Sequence, residues 1–368
     1  MRLAAPAAAL AGALSLATAA VRGNRTSAPV HVVADKGEVW FSCSAPGIAI
    51  KITAAADVNE PGEATVAADR LGGVIAGFSS SSTITISTTA STAMIACGNS
   101  RYRLRVLPDA PAALAMDYEI ARIEVAGNDL LTLFEVLPAV GTEQTRFYLN
   151  GLYMHNIGDH LVAVATDGVK LLRISITADP FSEDRKFILP SKSATALIKL
   201  IEQTKADKVT LRRSGALFAV AGPAFEFVTT LIDAEYPEYE CLLPRASTGV
   251  AQCSRTDLIG ALARLGAVAN AELPPLVALS WIDGGPLHLF LPRQPGDAED
   301  AIAAETRGSV QIALSLPQVT AMISNFSSDR LHLEAAGADA PLVLRGEQTK
   351  FGVLTSCRWN FQTREPSP

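Results

Sequence analysis

The sequence predicts an α+β protein in which one unit recurs three times: a helix, a run of strands, a second helix and further strands. Two sets of matching segments point to this. VWFSCSAPGIAIKI (39–52) and LVAVATDGVKLLRI (161–174) are each a β-rich run, a turn ending in Gly47 or Gly168, and an alternating apolar strand. TVAADRLGGVIAGF (65–78), ILPSKSATALIKLI (188–201) and ALSLPQVTAMISNF (313–326) are each a short strand running into an amphipathic helix. Bulk composition permits the reading: 368 residues, 49% of them hydrophobic and 18% charged, suffice for a folded core in two or three domains.

The first helix of each copy reads PAAALAGALSLATAAV (6–21), NDLLTLFEVLPAV (128–140) and TDLIGALARLGAVA (256–269). Asn128 and Thr256 are the expected N-caps. In the second helices, apolar residues recur at helical spacing: Leu71, Val74, Ile75 and Phe78 in one copy, Leu197, Ile198 and Ile201 in the next. Ser191, beside Pro190, is the expected cap of the latter. KVTLRRSGALFAVAG (208–222) and LHLEAAGADAPLVLRG (331–346) read as hairpins turning at Gly and at Ala-Asp. Polar or Pro-containing stretches set boundaries near 118 and 246, giving domains 1–118, 119–246 and 247–368, the last with a short C-terminal extension.

The opening MRLAAPAAALAGALSLATAAVRG has the cation, alanine-rich run and A-T-A-A end of an export signal, and an exported β-rich binding protein is the remote alternative it raises. It also occupies the slot that holds the first helix in the other two copies, so it is expected to be part of the fold. Pro6 and Gly12 interrupt it, and no run is long and clean enough to span a bilayer. Cys43, Cys97, Cys241, Cys253 and Cys357 are widely spaced with no C-x-x-C, which argues against a disulfide framework or zinc site and favours a reducing, cytoplasmic compartment. There is no P-loop, G-x-S-x-G or H-E-x-x-H, and His31, His155, His160, His288 and His332 lack metal spacing. Thr166-Asp167-Gly168 reads as turn chemistry rather than a catalytic Asp. No catalysis, metal or cofactor is expected. The net charge of −6 gives no overall attraction to nucleic acid, though a local basic surface remains compatible with it.

The stretch RFYLNGLYMHNIGDHLVAVATDGVKLLRISI (146–176) resembles the bacterial DNA polymerase III beta subunit, the β sliding clamp family. The matching residues are Arg146, Phe147, Tyr148, Leu149, Asn150 and Gly151, read as a strand, then Val164, Ala165, Thr166, Asp167 and Gly168 in a turn. YPEYECLLP (236–244) is similar to the stretch closing the family's middle domain, and EPGEATVAADRLGGVIAGF (60–78) fits its first. The resemblance implies three DNA-clamp domains, each of two helices and two small antiparallel sheets, closed head-to-tail into a homodimeric ring. It implies a non-catalytic processivity factor that encircles duplex DNA without reading its sequence. The implied partners are the DNA polymerase III catalytic subunit, the clamp loader and other proteins carrying a clamp-binding peptide.

By position, the implied DNA-facing residues are Arg22, Arg25, Arg70, Arg146, Phe147, Tyr148, Lys192, Lys199, Arg255 and Arg264. Tyr102 and Leu104 would meet Ala267 and Val268 across the dimer seam, with Arg101, Arg103 and Arg105 facing acids near Glu299 and Glu305. The implied partner pocket takes an apolar peptide carrying Leu and Phe. It comprises Leu149, Thr166, Gly168, Val169, Lys170, Leu171, Pro237, Cys241 and Leu242, and from the last domain Gln318, Val353, Leu354, Thr355, Ser356, Cys357 and Arg358. Val169-Lys170 stands where the family usually has His-Arg, Cys241 where Arg is usual, and Thr355-Ser356-Cys357-Arg358 where Met-Pro-x-Arg is usual. Lys lacks the planar fork of Arg, so the rim loses donors while the apolar floor is kept. These departures fit an altered partner preference or a specialised clamp paralogue with a repair or resistance role.

Overall fold

The computed structural model describes residues 1–19, 28–108, 114, 116, 119, 121–179, 186–243, 247–269, 275–291, 298–347 and 349–359. The expected boundaries at 118 and 246 and the cations Arg22 and Arg25 lie outside the described residues. Two compact units emerge, and each draws on two stretches of chain: Met1–Phe134 with Ala178–Asp233, and Glu135–Thr177 with Ala234–Pro368.

In the first unit, α1 (Ala7–Thr18) packs on α2 (Ala68–Ala76), and α3 (Gly127–Phe134) on α4 (Ser191–Thr204). One antiparallel sheet runs Ala121–Ala126, Lys208–Ser214, Leu217–Gly222, Phe225–Thr230, Ile48–Ala55, Glu38–Ala45, Pro29–Asp35, Gly62–Ala67. Its centre is a seam between copies, because Phe225–Thr230 pairs with Ile48–Ala55, Phe227 opposite Ile50. A second sheet runs Asp57–Glu60, Arg2–Pro6, Thr83–Thr88, Thr92–Cys97, Ser100–Arg105. Phe41, Phe218 and Phe227 are fully buried.

In the second unit, α5 (Arg255–Val268) packs on α6 (Leu316–Ser324). Within the unit the larger sheet runs Gly151–Ile157, His160–Thr166, Lys170–Thr177, Lys350–Leu354, Leu342–Arg345, Arg330–Ala335, Gly249–Ser254, Ala304–Gly308. It too has a seam between copies, Leu171 opposite Val353. A smaller sheet runs Glu299–Ile302, Leu287–Phe290, Leu276–Trp281, Val310–Ser315. Among the described residues, no helix is long and apolar enough to cross a membrane.

The hairpins at Gly47 and Gly215 form as expected, both glycines at positive φ. Several local expectations are corrected. The helix expected over 128–140 stops at Phe134, and Leu137–Ala139 is a separate 3₁₀ turn around Pro138, which lacks the N–H to continue a helix. Asn128 lies inside α3, which begins at Gly127. There the Gly127 N–H donates to Asp207 O (2.8 Å), and a side chain would collide with Ala206 O at 1.9 Å. Thr256 is not the α5 cap either: Ser254 Oγ accepts from Asp257 N (3.2 Å). Ser191 is the first residue of α4, and the N-cap position falls to Pro190, which has no side chain that could cap. The opening helix runs Ala7–Thr18, and its first N–H groups donate to Ser82 O and Ser80 O instead of a side chain. RFYLNG is not a strand: Phe147–Leu149 is a 3₁₀ turn and the strand starts at Gly151.

Candidate functional site

The turn from Thr166 to Leu171 is built by its own side chains. Asp167 Oδ1 accepts from the backbone N–H of Val169 and of Lys170, both at 2.9 Å. Thr166 Oγ1 donates to Lys170 O (2.6 Å) and accepts from Gly168 N (3.0 Å). Gly168 has φ +94°, and a β-carbon there would sit 2.6 Å from an Arg146 guanidinium nitrogen. The positive φ selects glycine here, and the Arg146 guanidinium packs against its open face.

Beside this turn lies a cavity of about 430 Å³. Pro138, Val140, Leu149 and Val169 give it apolar surface; Glu143, Arg146, Asp167 and Lys170 give it charge. Arg146 Nε and Nη2 donate to Glu143 Oε2 and Oε1 at 2.9 and 2.8 Å, a bidentate pair. That pairing holds the Glu143 carboxyl below its ordinary range and raises Arg146. Lys170 Nζ lies 3.5 Å from Asp167. Of the residues predicted for the pocket, Leu149, Val169 and Lys170 line this cavity, and Arg146 joins them. The wall from Pro138 to Glu143 was missed by the sequence reading. Its signal was Gly141, buried with its missing β-carbon 3.1 Å from that of Leu149, five residues before Arg146.

Leu171 and Val353 are opposite each other and buried, and Leu354 is buried opposite Lys170. Thr355 N donates to Val169 O (2.9 Å), bringing the end of that strand to the turn. Thr355 and Arg358 are exposed, Ser356 is half-buried, and Cys357 packs against Leu276, Ala313 and Trp359. Gln318 is half-buried in the first turn of α6. Pro237 is exposed, as are Cys241, whose Sγ donates to Glu238 O (2.8 Å), and Leu242. The 236–239 segment is anchored by aromatics: Tyr236 stacks on Tyr153 with centroids 4.6 Å apart, and the Tyr239 hydroxyl lies 3.0 Å from His155 Nε2. Burial pushes Tyr239 up to about 12 and likewise the Cys43 and Cys253 thiols, so these groups stay protonated.

Among the predicted DNA-facing groups, Arg70 is exposed on α2, and Lys192 and Lys199 are exposed on α4, two turns apart. Arg255 opens α5 and is half-buried; Arg264 on the same helix pairs with Asp300 at 2.7 Å. Phe147 is exposed and meets Tyr148 edge-on. Of the predicted seam residues, Arg101, Tyr102, Arg103, Leu104 and Arg105 lie on a sheet's edge strand, with Tyr102 edge-on to Phe78 at 5.9 Å. Ala267 and Val268 are exposed at the end of α5, Glu299 lies on an edge strand of the smaller sheet, and Glu305 pairs with Arg330.

A family model described as the DNA polymerase III beta subunit, central domain, matches residues 131–238. A beta sliding clamp of Pseudomonas aeruginosa is 29% identical over 223 residues, 59% of this chain and 59% of that protein. A beta sliding clamp of Pseudomonas putida is 25% identical over 308 residues, 77% of this chain and 82% of that protein. The crystal structure of the P. aeruginosa DNA polymerase sliding clamp superposes with a TM-score of 0.87 at 22% identity, covering 97% of this chain and 99% of that one. The Bartonella birtlesii sliding clamp bound to griselimycin superposes with a TM-score of 0.87 at 25% identity, with the same coverage.

Proposed function

Because the chain belongs, as a divergent member, to the bacterial DNA polymerase III beta-subunit family, we propose that it is a non-catalytic sliding clamp that encircles duplex DNA and tethers a polymerase for processive synthesis. The observation that carries the reading is the RFYLNG and VATDG pair, which lies inside the stretch matching the family's central domain and builds one turn and one cavity. In this reading two three-domain chains close head-to-tail in the cytoplasm. The cavity beside Val169, extended by the 237–242 and 353–358 segments, takes the apolar peptide of the polymerase, the clamp loader and other partners. A ring needs only a basic lining, because topology replaces tight binding and the chain's overall acidity faces outward. The experiment is loading onto nicked circular DNA followed by primer extension. Lys192→Glu with Lys199→Glu is expected to leave the fold intact and to shorten processive products. Unchanged product length would remove α4 from the DNA-facing surface.

The ring itself rests on a seam with little apolar surface, Tyr102 and Leu104 against Ala267 and Val268, flanked by arginines on one side and acids on the other. Exposed ion pairs are screened by salt. The dimer is therefore expected to weaken between about 0.1 and 1 M salt, read by light scattering against concentration. A concentration-independent monomer at low salt contradicts the ring. The departures at Val169, Lys170, Cys241 and Cys357 favour a specialised paralogue as the second reading. Primer extension with the cell's replicative polymerase separates the two: a paralogue loads but fails to lengthen its products.

A further inference from the structure

We propose that Trp359 is a positioning residue that holds Thr355–Arg358 in place as one wall of the partner pocket; the proposal rests on the pocket reading above. Strand Lys350–Leu354 lies inside the larger sheet of its unit, paired on one side with Lys170–Thr177 and on the other with Leu342–Arg345. After Leu354 the chain leaves that sheet. Thr355 N still donates to Val169 O at 2.9 Å, at the rim of the cavity. Two residues later, Cys357 N donates to Ala313 O at 2.7 Å, and Ala313 belongs to the smaller sheet. Trp359 then enters the core, 5% exposed, in a cluster with Leu276 and Ala313 against which Cys357 packs.

The segment is thus strapped from one sheet to the other. Thr355, Ser356 and Arg358 are exposed or half-buried, and Cys357 packs on the cluster that Trp359 completes. An indole is the largest apolar anchor available to a short tail, and it sits at the far end. A peptide docking against a wall already held pays no ordering cost for that wall; against a loose tail it must order the tail first. Trp359 thereby acts on affinity without touching the peptide.

The test uses the full chain with Trp359→Ala, Trp359→Leu and Trp359→Phe, read by three measurements: hydrogen exchange at the Thr355 and Cys357 amides, affinity for a fluorescent Gln-x-x-Leu-Phe peptide, and melting temperature. Trp359→Ala is expected to speed exchange at both amides and weaken the peptide about tenfold, with Trp359→Phe within about twofold of wild type. If Trp359→Ala does not fold, Trp359→Leu is expected to fall between the two. A lower melting temperature with unchanged affinity means that the indole serves stability only, and overturns the proposal. So does unchanged exchange at Thr355 and Cys357. A wild-type chain that binds no peptide overturns the pocket reading and the positioning role with it, an outcome distinct from equal binding by wild type and variant.

Discussion

Val169→Asp is expected to weaken capture of an apolar Leu-Phe peptide at least thirtyfold while the protein stays folded. Val169 is 39% exposed, sits at the tip of the Asp167 turn and faces the cavity. Placing a carboxylate there costs about 2 kcal/mol or more once a peptide covers it and excludes water. In the free protein the same carboxylate remains hydrated, so the folded state is little affected. Leu171→Asp is the poorer probe although Leu171 belongs to the same motif. Leu171 is 2% exposed between strands, and a charge there disrupts the sheet before any peptide arrives. Titration of the fluorescent peptide against Val169→Asp, with circular dichroism as the fold control, checks this. Equal affinity for wild type and variant places the peptide elsewhere.

The second large effect is an asymmetry at one ion pair. Lys350 is 5% exposed; its ammonium donates to Glu135 Oε2 at 2.6 Å and to Asn325 O, and lies 5.5 Å from the Phe326 ring centre. Glu135 is 54% exposed. Glu135→Ala leaves a buried ammonium without its counter-charge and is expected to cost about 2 kcal/mol, the value reduced because water reaches the carboxylate side. Lys350→Met removes the charge and keeps the length, so it is expected to stay within about 1 kcal/mol of wild type. Urea midpoints of the two variants decide: equal losses mean that the Lys350–Glu135 pair is itself net stabilising and that an unpaired ammonium carries no extra penalty.

What the sequence made legible was periodic or covalently local. The second helices of the copies announce themselves by apolar spacing, as in Leu197 and Ile201, which are both buried. The turns at Gly47, Gly168 and Gly215 announce themselves because positive φ selects glycine. The start of α3 was misread because its partner comes from a distant loop: Gly127 N finds Asp207 O, a bond no local cap signal encodes. The start of α5 was misread by two residues although its cap is local, Ser254 Oγ accepting from Asp257 N. The cavity was half legible. Leu149, Val169 and Lys170 lie in a recognisable motif, but the Pro138–Glu143 wall has no period and is defined by how it folds back onto Leu149. The bidentate Glu143–Arg146 pair was hidden for a related reason: at spacing three, in a loop, two opposite charges carry no sign of whether they meet.

The strand pairings Phe227–Ile50 and Leu171–Val353 bear on any attempt to dissect the protein. Both lie within compact units, yet both join chain from different copies of the repeat. A fragment cut at the repeat boundaries would carry Ile48–Ala55 or Lys170–Thr177 with one whole row of amide and carbonyl groups unsatisfied, and such edges recruit other strands. Expressed single repeats should therefore come out of the cell as aggregates or as swapped assemblies rather than as miniature versions of the parent. Fragments that respect the interleaved units need two segments each, so a protease nick in a connecting loop, with both pieces retained, is a better dissection than a stop codon.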